Sequence, residues 1–165
     1  KPSLPRFLMT WTLQGLWVLL TLAPSLAAMT LQARPLDLFA AVGPAVWAIG
    51  FGIEVVADRQ KREFRRHPGN HGRFITTGLW AWSRHPNYFG EITLWTGVAL
   101  LAAPVLGGWQ YLTLVSPLFV YLLLTRVSGI PLLEARAEER WGGDPAYRAY
   151  RDRTPPLFLR PPRPA

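Results

Sequence analysis

The sequence contains no cysteine, which removes disulfides, thiolate nucleophiles and thiolate-held zinc or iron–sulfur clusters at once. Histidine is scarce, with 3 in 165 residues. His67 and His71 have the spacing of one helical turn, but Pro68 and Gly69 between them deny the helix, and His85 stands apart; no metal site is expected. No GxSxG, Walker or GxGxxG pattern occurs, so any nucleotide is held by something other than a P-loop or a Rossmann sheet. Acidic residues are few, 10 against 18 Lys and Arg, for a net charge of +8. No internal repeat is visible.

Apolar side chains, by contrast, make up half of the chain and include 8 Trp. Their arrangement in long runs decides the class. Residues 7–28, 36–56, 92–106 and 109–127 form four runs, to be compared with the roughly 20 apolar residues a membrane helix needs. The expected fold is all-α, a polytopic transmembrane helix bundle of about four spans in one membrane domain, 1–165, with a cytoplasmic loop at 58–90 and a cytoplasmic tail at 128–165. The third run is short, and Gly107-Gly108 makes a tight turn to the fourth. Pro24, Pro44, Pro104 and Pro117 fall inside or at the ends of the runs, as membrane helices tolerate. The first run is too long for a signal-peptide core and leads to no soluble domain. Because Lys1 stands where a start Met is expected, the chain reads as the C-terminal part of a longer protein.

Charge placement separates a membrane protein from a nucleic-acid binder. Lys1 and Arg6 precede the first run, and Arg34 alone lies between the first and second. Seven cations lie between the second and third, none between the third and fourth, and eight follow. Two crossings separate each rich segment from the next, so 17 of the 18 positive residues share one side. That side should be cytoplasmic, in an inner membrane if the source is bacterial. A nucleic-acid partner gives no reason for this alternation. Membrane lipids are the expected surroundings, and nothing in the sequence sets an oligomeric state.

The 58–90 segment is rich in aromatics and should be ordered; residues 58–66 continue the second helix until His67-Pro68-Gly69-Asn70 ends it. Helical propensity returns at 132–141, breaks at Gly142-Gly143-Asp144-Pro145 and resumes at 146–153. The tail from Thr154 onward holds five prolines in twelve residues and should run extended with a frayed end.

Ionisable groups at a membrane boundary are costly, so each is a functional candidate. Glu54 and Asp58 share a helix face near the end of the second run; they can bind a polar ligand or pair with Arg62. Glu91 opens the third run and Glu134 follows the fourth. The most informative stretch is Ser83-Arg84-His85-Pro86-Asn87-Tyr88-Phe89-Gly90-Glu91. Pro86 pre-sets a first helical turn, with Ser83 and Asn87 as possible caps. Free amides beside Arg84 would attract an anion. Tyr88 can stack, Gly90 can let a ligand approach the backbone, and Glu91 can accept from an amide or ribose hydroxyl. The bland alternative is a capped membrane helix with a snorkelling Arg.

That stretch, preceded by Gly78-Leu79-Trp80, resembles the hallmark of an uncharacterised bacterial membrane family grouped with the C-terminal domain of steroid 5α-reductase. Residues 54–61 and 127–134 match in order and spacing, as do Tyr147, Arg148, Tyr150, Thr154 and the prolines beyond. More distantly, Arg84-His85-Pro86 is similar to sterol reductases and isoprenylcysteine-type methyltransferases. The resemblance implies a multi-helix fold holding NADPH in a polar pocket open to the cytoplasm. Cofactor contacts would carry onto Asp58, Arg65, Asn87 and Glu91, with Tyr88 and Glu134 beside them and Arg84 among the arginines complementing phosphates. The glutamate and tyrosine thought to polarise the enone lie in the family's N-terminal half, ahead of the matched region, so no catalytic acid is assigned.

The expected activity is NADPH-dependent reduction of a conjugated C=C bond in a steroid- or isoprenoid-like lipid. The rival is an S-adenosylmethionine-dependent methyltransferase acting on a lipid or isoprenylated thiol, to which Glu138-Glu139 bears some likeness. A non-catalytic membrane module is the third reading.

Overall fold

The computed structural model describes residues 3–30 and 37–162. Among them no strand forms; the elements are helices and short turns. Helix α1 is Leu4–Met29, α2 Leu38–Arg66 and α3 Pro86–Ala102, the last prolonged by a 3₁₀ turn, Ala103–Val105. After Leu106 and Gly107 the chain climbs back through a 3₁₀ segment, Gly108–Val115, the helix α4 (Ser116–Leu122) and a π turn, Leu123–Val127. Two shorter helices, α5 (Ile130–Trp141) and α6 (Pro145–Arg153), complete the fold.

Four of these helical stretches are long and apolar enough to cross a membrane: Phe7–Met29, Leu38–Arg66, Pro86–Val105 and Gly108–Trp141. Leu, Phe, Trp and Val side chains stay exposed along α1 and α2, as expected of surfaces solvated by lipid rather than water. The protein is an integral membrane protein. Leu36, the expected start of the second span, and the charges Lys1, Arg34 and Arg163 lie outside the described residues.

Two boundaries differ from the sequence reading. The third helix starts at Pro86 rather than 92 and is not short: with its 3₁₀ extension it has 20 residues. The intervening loop shrinks accordingly from 58–90 to 67–85, because α2 runs to Arg66 at one side and Pro86 begins α3 at the other. Asn87 and Tyr88, inside the expected loop, thus join Glu91 on the first turns of a helix that begins at Pro86, as the proline implied.

Helix α3 touches α1, α2 and α4. Its closest partner is α2, and glycine explains why. A Cβ on Gly43 would lie 2.8 Å from Leu101, one on Gly97 2.7 Å from the Gly43 carbonyl, one on Gly50 2.6 Å from the Gly90 carbonyl, and one on Gly90 2.7 Å from the Glu54 amide. The pairs Gly43–Leu101, Trp47–Gly97, Gly50–Leu94 and Glu54–Gly90 step forward along α2 by four, three and four residues and back along α3 by the same. This is an antiparallel seam closed by small residues, the means by which membrane helices gain dispersion contact without a hydrophobic drive. Gly90 was read as room for a ligand; it is occupied instead by the α2 backbone.

Candidate functional site

The seam ends where α2 leaves the apolar zone, and the 67–85 loop folds over it. Gly78 at φ +62° lets the chain turn beside Gln60, whose Oε1 accepts from the Leu79 amide at 3.0 Å. That turn seats Trp80, 3 % exposed, with its indole N–H donating to the Ala57 carbonyl at 3.0 Å. Lys61 lies 4.5 Å above the Trp80 ring. From the other side the Tyr150 hydroxyl donates to the Trp80 carbonyl at 2.7 Å. Burial pushes the Tyr150 pKa up, which keeps this hydroxyl a donor. One buried indole thus ties α2, the loop and α6 together.

A cavity of about 710 Å³ opens beside this anchor, between the end of α2, the loop, α5 and α6. One wall is aromatic: the Phe74 ring centroid lies 5.2 Å from Tyr147, 5.7 Å from Tyr150 and 5.8 Å from Trp141. The charged part of the lining is mostly cationic, with Lys61, Arg65, Arg73, Arg84, Arg136 and Arg140 against a single carboxylate, Glu134. Such a basin concentrates a polyanion and repels a cation.

Glu134 organises the centre. One oxygen contacts His85 Nε2 at 2.7 Å and the other contacts the Arg84 guanidinium at 3.1 Å. The Arg84 and His85 side chains are 14 % and 8 % exposed. Arg84 Nε is buried without a partner in the described structure, leaving one charged donor uncommitted. His85 stacks on Tyr88 with ring centroids 5.6 Å apart and planes 12° from parallel.

The Arg84–His85 backbone is strapped from behind by the proline-rich tail. The Arg84 amide donates to the Pro155 carbonyl at 2.9 Å and the Arg160 amide to the Trp82 carbonyl at 3.0 Å. Ser83, fully buried, donates to the Leu157 carbonyl at 2.8 Å and accepts from the His85 amide at 3.1 Å. The tail is extended as expected, but it serves as a backing strip. His85, not Asn87, occupies the N-cap position of α3.

The seven candidate cofactor residues fall in three places. Arg65, Arg84 and Glu134 line the large cavity. Asn87, Tyr88 and Glu91 do not; they lie on the first turns of α3, half-buried, with Tyr88 joined to the cavity through its stack on His85. Glu91 lies within electrostatic range of Glu54 and Asp58, so carboxylates gather at this end of the seam. Asp58 is exposed and forms, with Lys61, Arg62, Arg65 and Arg66, a shallow second cavity of about 490 Å³ along α2. The ion pair on this stretch of helix joins Arg59 and Glu63 at 2.8 Å. Glu138 pairs with Arg151 at 2.7 Å on the surface. Among the described residues no three His, Asp or Glu side chains converge as metal ligands would. Sequence reasoning missed His85, Phe74, Trp141, Tyr147 and Tyr150 as cavity residues; the available signal was the pairing of Tyr147 and Tyr150 one helical turn apart.

Residues 1–154 match the family described as "Protein of unknown function (DUF1295)". The chain belongs to that family. Among curated proteins, this DUF1295 chain is 39 % identical over 70 residues to 3-oxo-5-alpha-steroid 4-dehydrogenase 1 of Bos taurus, covering 42 % of the chain and 26 % of the relative. It is 29 % identical over 102 residues to the probable O-methyltransferase ustE of Ustilaginoidea virens, covering 62 % of the chain and 34 % of the relative. The DUF1295 chain thus matches about a quarter to a third of each relative's length, and the likeness to steroid 5α-reductase expected from the motifs is present at this distance. No solved structure matches it significantly.

Proposed function

We propose that this protein is a membrane-bound NADPH-dependent reductase of a conjugated C=C bond in a steroid- or isoprenoid-like lipid. The observation that carries the reading is the cavity's charge, six cations against one carboxylate around an aromatic wall. NADPH is a polyanion with an aromatic adenine and a flat dihydronicotinamide ring, whereas S-adenosylmethionine brings a sulfonium into the site. The uncommitted Nε of Arg84 is a further fit to a phosphorylated ligand. Likeness to a named steroid dehydrogenase supports the same chemistry.

Arg65 and Arg84 would hold phosphates, with Arg73, Arg136 and Arg140 adding charge. Asp58, Asn87 and Glu91 lie outside this cavity's lining and take no part in the binding proposed here; Tyr88 would bear on it only through the His85 ring on which it stacks. Bound NADPH would supply a hydride to the electron-poor carbon. The chain's own residues orient the reactants and exclude water: Glu134 fixes the Arg84 guanidinium and the His85 ring, and the Trp80 anchor holds the walls. The lipid would enter from the bilayer and NADPH from the cytoplasmic side, where the cations collect.

The likeness to a probable O-methyltransferase keeps a second reading open. Isothermal titration in detergent with NADPH and, separately, S-adenosylmethionine decides between them. The reductase reading expects NADPH binding, weakened at least tenfold in Arg84→Gln, and none for S-adenosylmethionine. Binding of S-adenosylmethionine without NADPH would overturn it.

A further inference from the structure

Helix α2 has 29 residues, about 43 Å at 1.5 Å each, against a hydrocarbon thickness of about 30 Å. Its last turns must therefore stand in the headgroup layer. On one face, at spacings of three and four residues, lie Phe51, Val55, Asp58, Arg62 and Arg66. Phe51 and Val55 are 46 % and 47 % exposed, and Phe51 stacks on the half-exposed Trp47 at 5.2 Å. Above them the shallow cavity of about 490 Å³ carries four cations and one carboxylate. Arg62 and Arg66 line this cavity but not the larger one, and neither belongs to the ion pair on this stretch, Arg59–Glu63.

We propose that this stripe is a binding site for one anionic membrane phospholipid. The phosphate lies between Arg62 and Arg66, and an acyl chain runs along Val55 and Phe51. The stripe has the polarity of such a lipid, cationic at the headgroup level and apolar below. The large cavity opens toward the loop, α5 and α6 instead, without Phe51, Val55, Arg62 or Arg66 in its lining. Juxtamembrane cation clusters of this kind attract anionic lipid.

Native mass spectrometry of the whole chain, released from micelles with dioleoylphosphatidylglycerol or dioleoylphosphatidylcholine, tests the site. Wild type is expected to retain one phosphatidylglycerol at least tenfold more strongly than phosphatidylcholine. R62Q/R66Q should lose about 30-fold of that retention, and R62K/R66K should keep most of it, which separates lost charge from lost folding. Saturating NADPH should leave the lipid in place. Equal retention of the two lipids by wild type, unchanged retention in R62Q/R66Q, or displacement of the lipid by NADPH would each overturn the assignment. The result is independent of whether NADPH is the cofactor.

Discussion

Replacing Gly97 by Ala should open the α2–α3 seam, whereas replacing Gly52 by Ala should not. A Cβ at Gly97 would sit 2.7 Å from the Gly43 carbonyl and 2.8 Å from the Trp47 Cα, while one at Gly52 meets nothing within 4 Å. The Trp47 backbone nitrogen lies closer still, so reaching an ordinary contact of 3.4 Å requires the helices to separate by more than about 0.7 Å. The obstructing atoms are backbone, so no side chain can swing aside. Overpacking of this sort costs about 1–3 kcal/mol, and for a chain of this size each kcal/mol lowers Tm by roughly 2–4 °C. Gly97→Ala should therefore melt about 2–12 °C below wild type in the same detergent, followed by circular dichroism. Gly52→Ala should match wild type or slightly exceed it, since alanine is the better helix former. The seam is refuted if the two variants melt together.

Other substitutions probe the site. Glu134→Ala removes the carboxylate that holds the nearly buried Arg84 guanidinium and His85 ring; thermal stability should fall by about 2 kcal/mol, less than for a fully buried pair because Glu134 is 26 % exposed. An unchanged melting temperature would mean that the triad is not a unit. Ser83→Ala removes a hydroxyl that bridges the tail and the His85 amide. It should cost about 1–2 kcal/mol and speed proteolytic trimming of the tail, and trimming at the wild-type rate would argue against the strap. Tyr150→Phe leaves the Trp80 carbonyl short of a donor. Burial raises the Tyr150 pKa in the folded state, so its contribution is present below the ordinary tyrosine value of about 10 and fades as pH rises beyond it. Wild type should lose stability above about pH 10 more steeply than Tyr150→Phe, as read by melting temperature against pH; parallel curves would remove Tyr150 from the account.

Much of the architecture was readable because apolar runs and breakers are local signals. The four spans, the extension of α2 to Arg66 and the interruption at Gly142–Pro145 all follow from neighbours within a few residues. The third span was placed late, at 92, because polar Asn87, Tyr88 and Glu91 interrupt the apolar run, although the helical turn set by Pro86 was legible. Gly90 was misjudged for a different reason: a glycine that admits a ligand and one that admits a helix look identical until the partner helix is known. Glu134 was singled out, but its bond to His85 joins positions 49 residues apart. The aromatic wall needs Phe74 from the loop and Trp141, Tyr147 and Tyr150 from α5 and α6, which no local pattern brings together. The tail's composition predicted its extended form, while its backing role depends on hydrogen bonds reaching Trp82, Ser83 and Arg84 across more than seventy residues.

Amide hydrogen exchange of the intact chain in detergent, with and without saturating NADPH, tests the cofactor cavity most directly. The account predicts slowed exchange confined to residues 61–85 and 133–150, the segments that line it, and little change along α1. Protection centred on α1, or none with NADPH while S-adenosylmethionine protects these same segments, would contradict it.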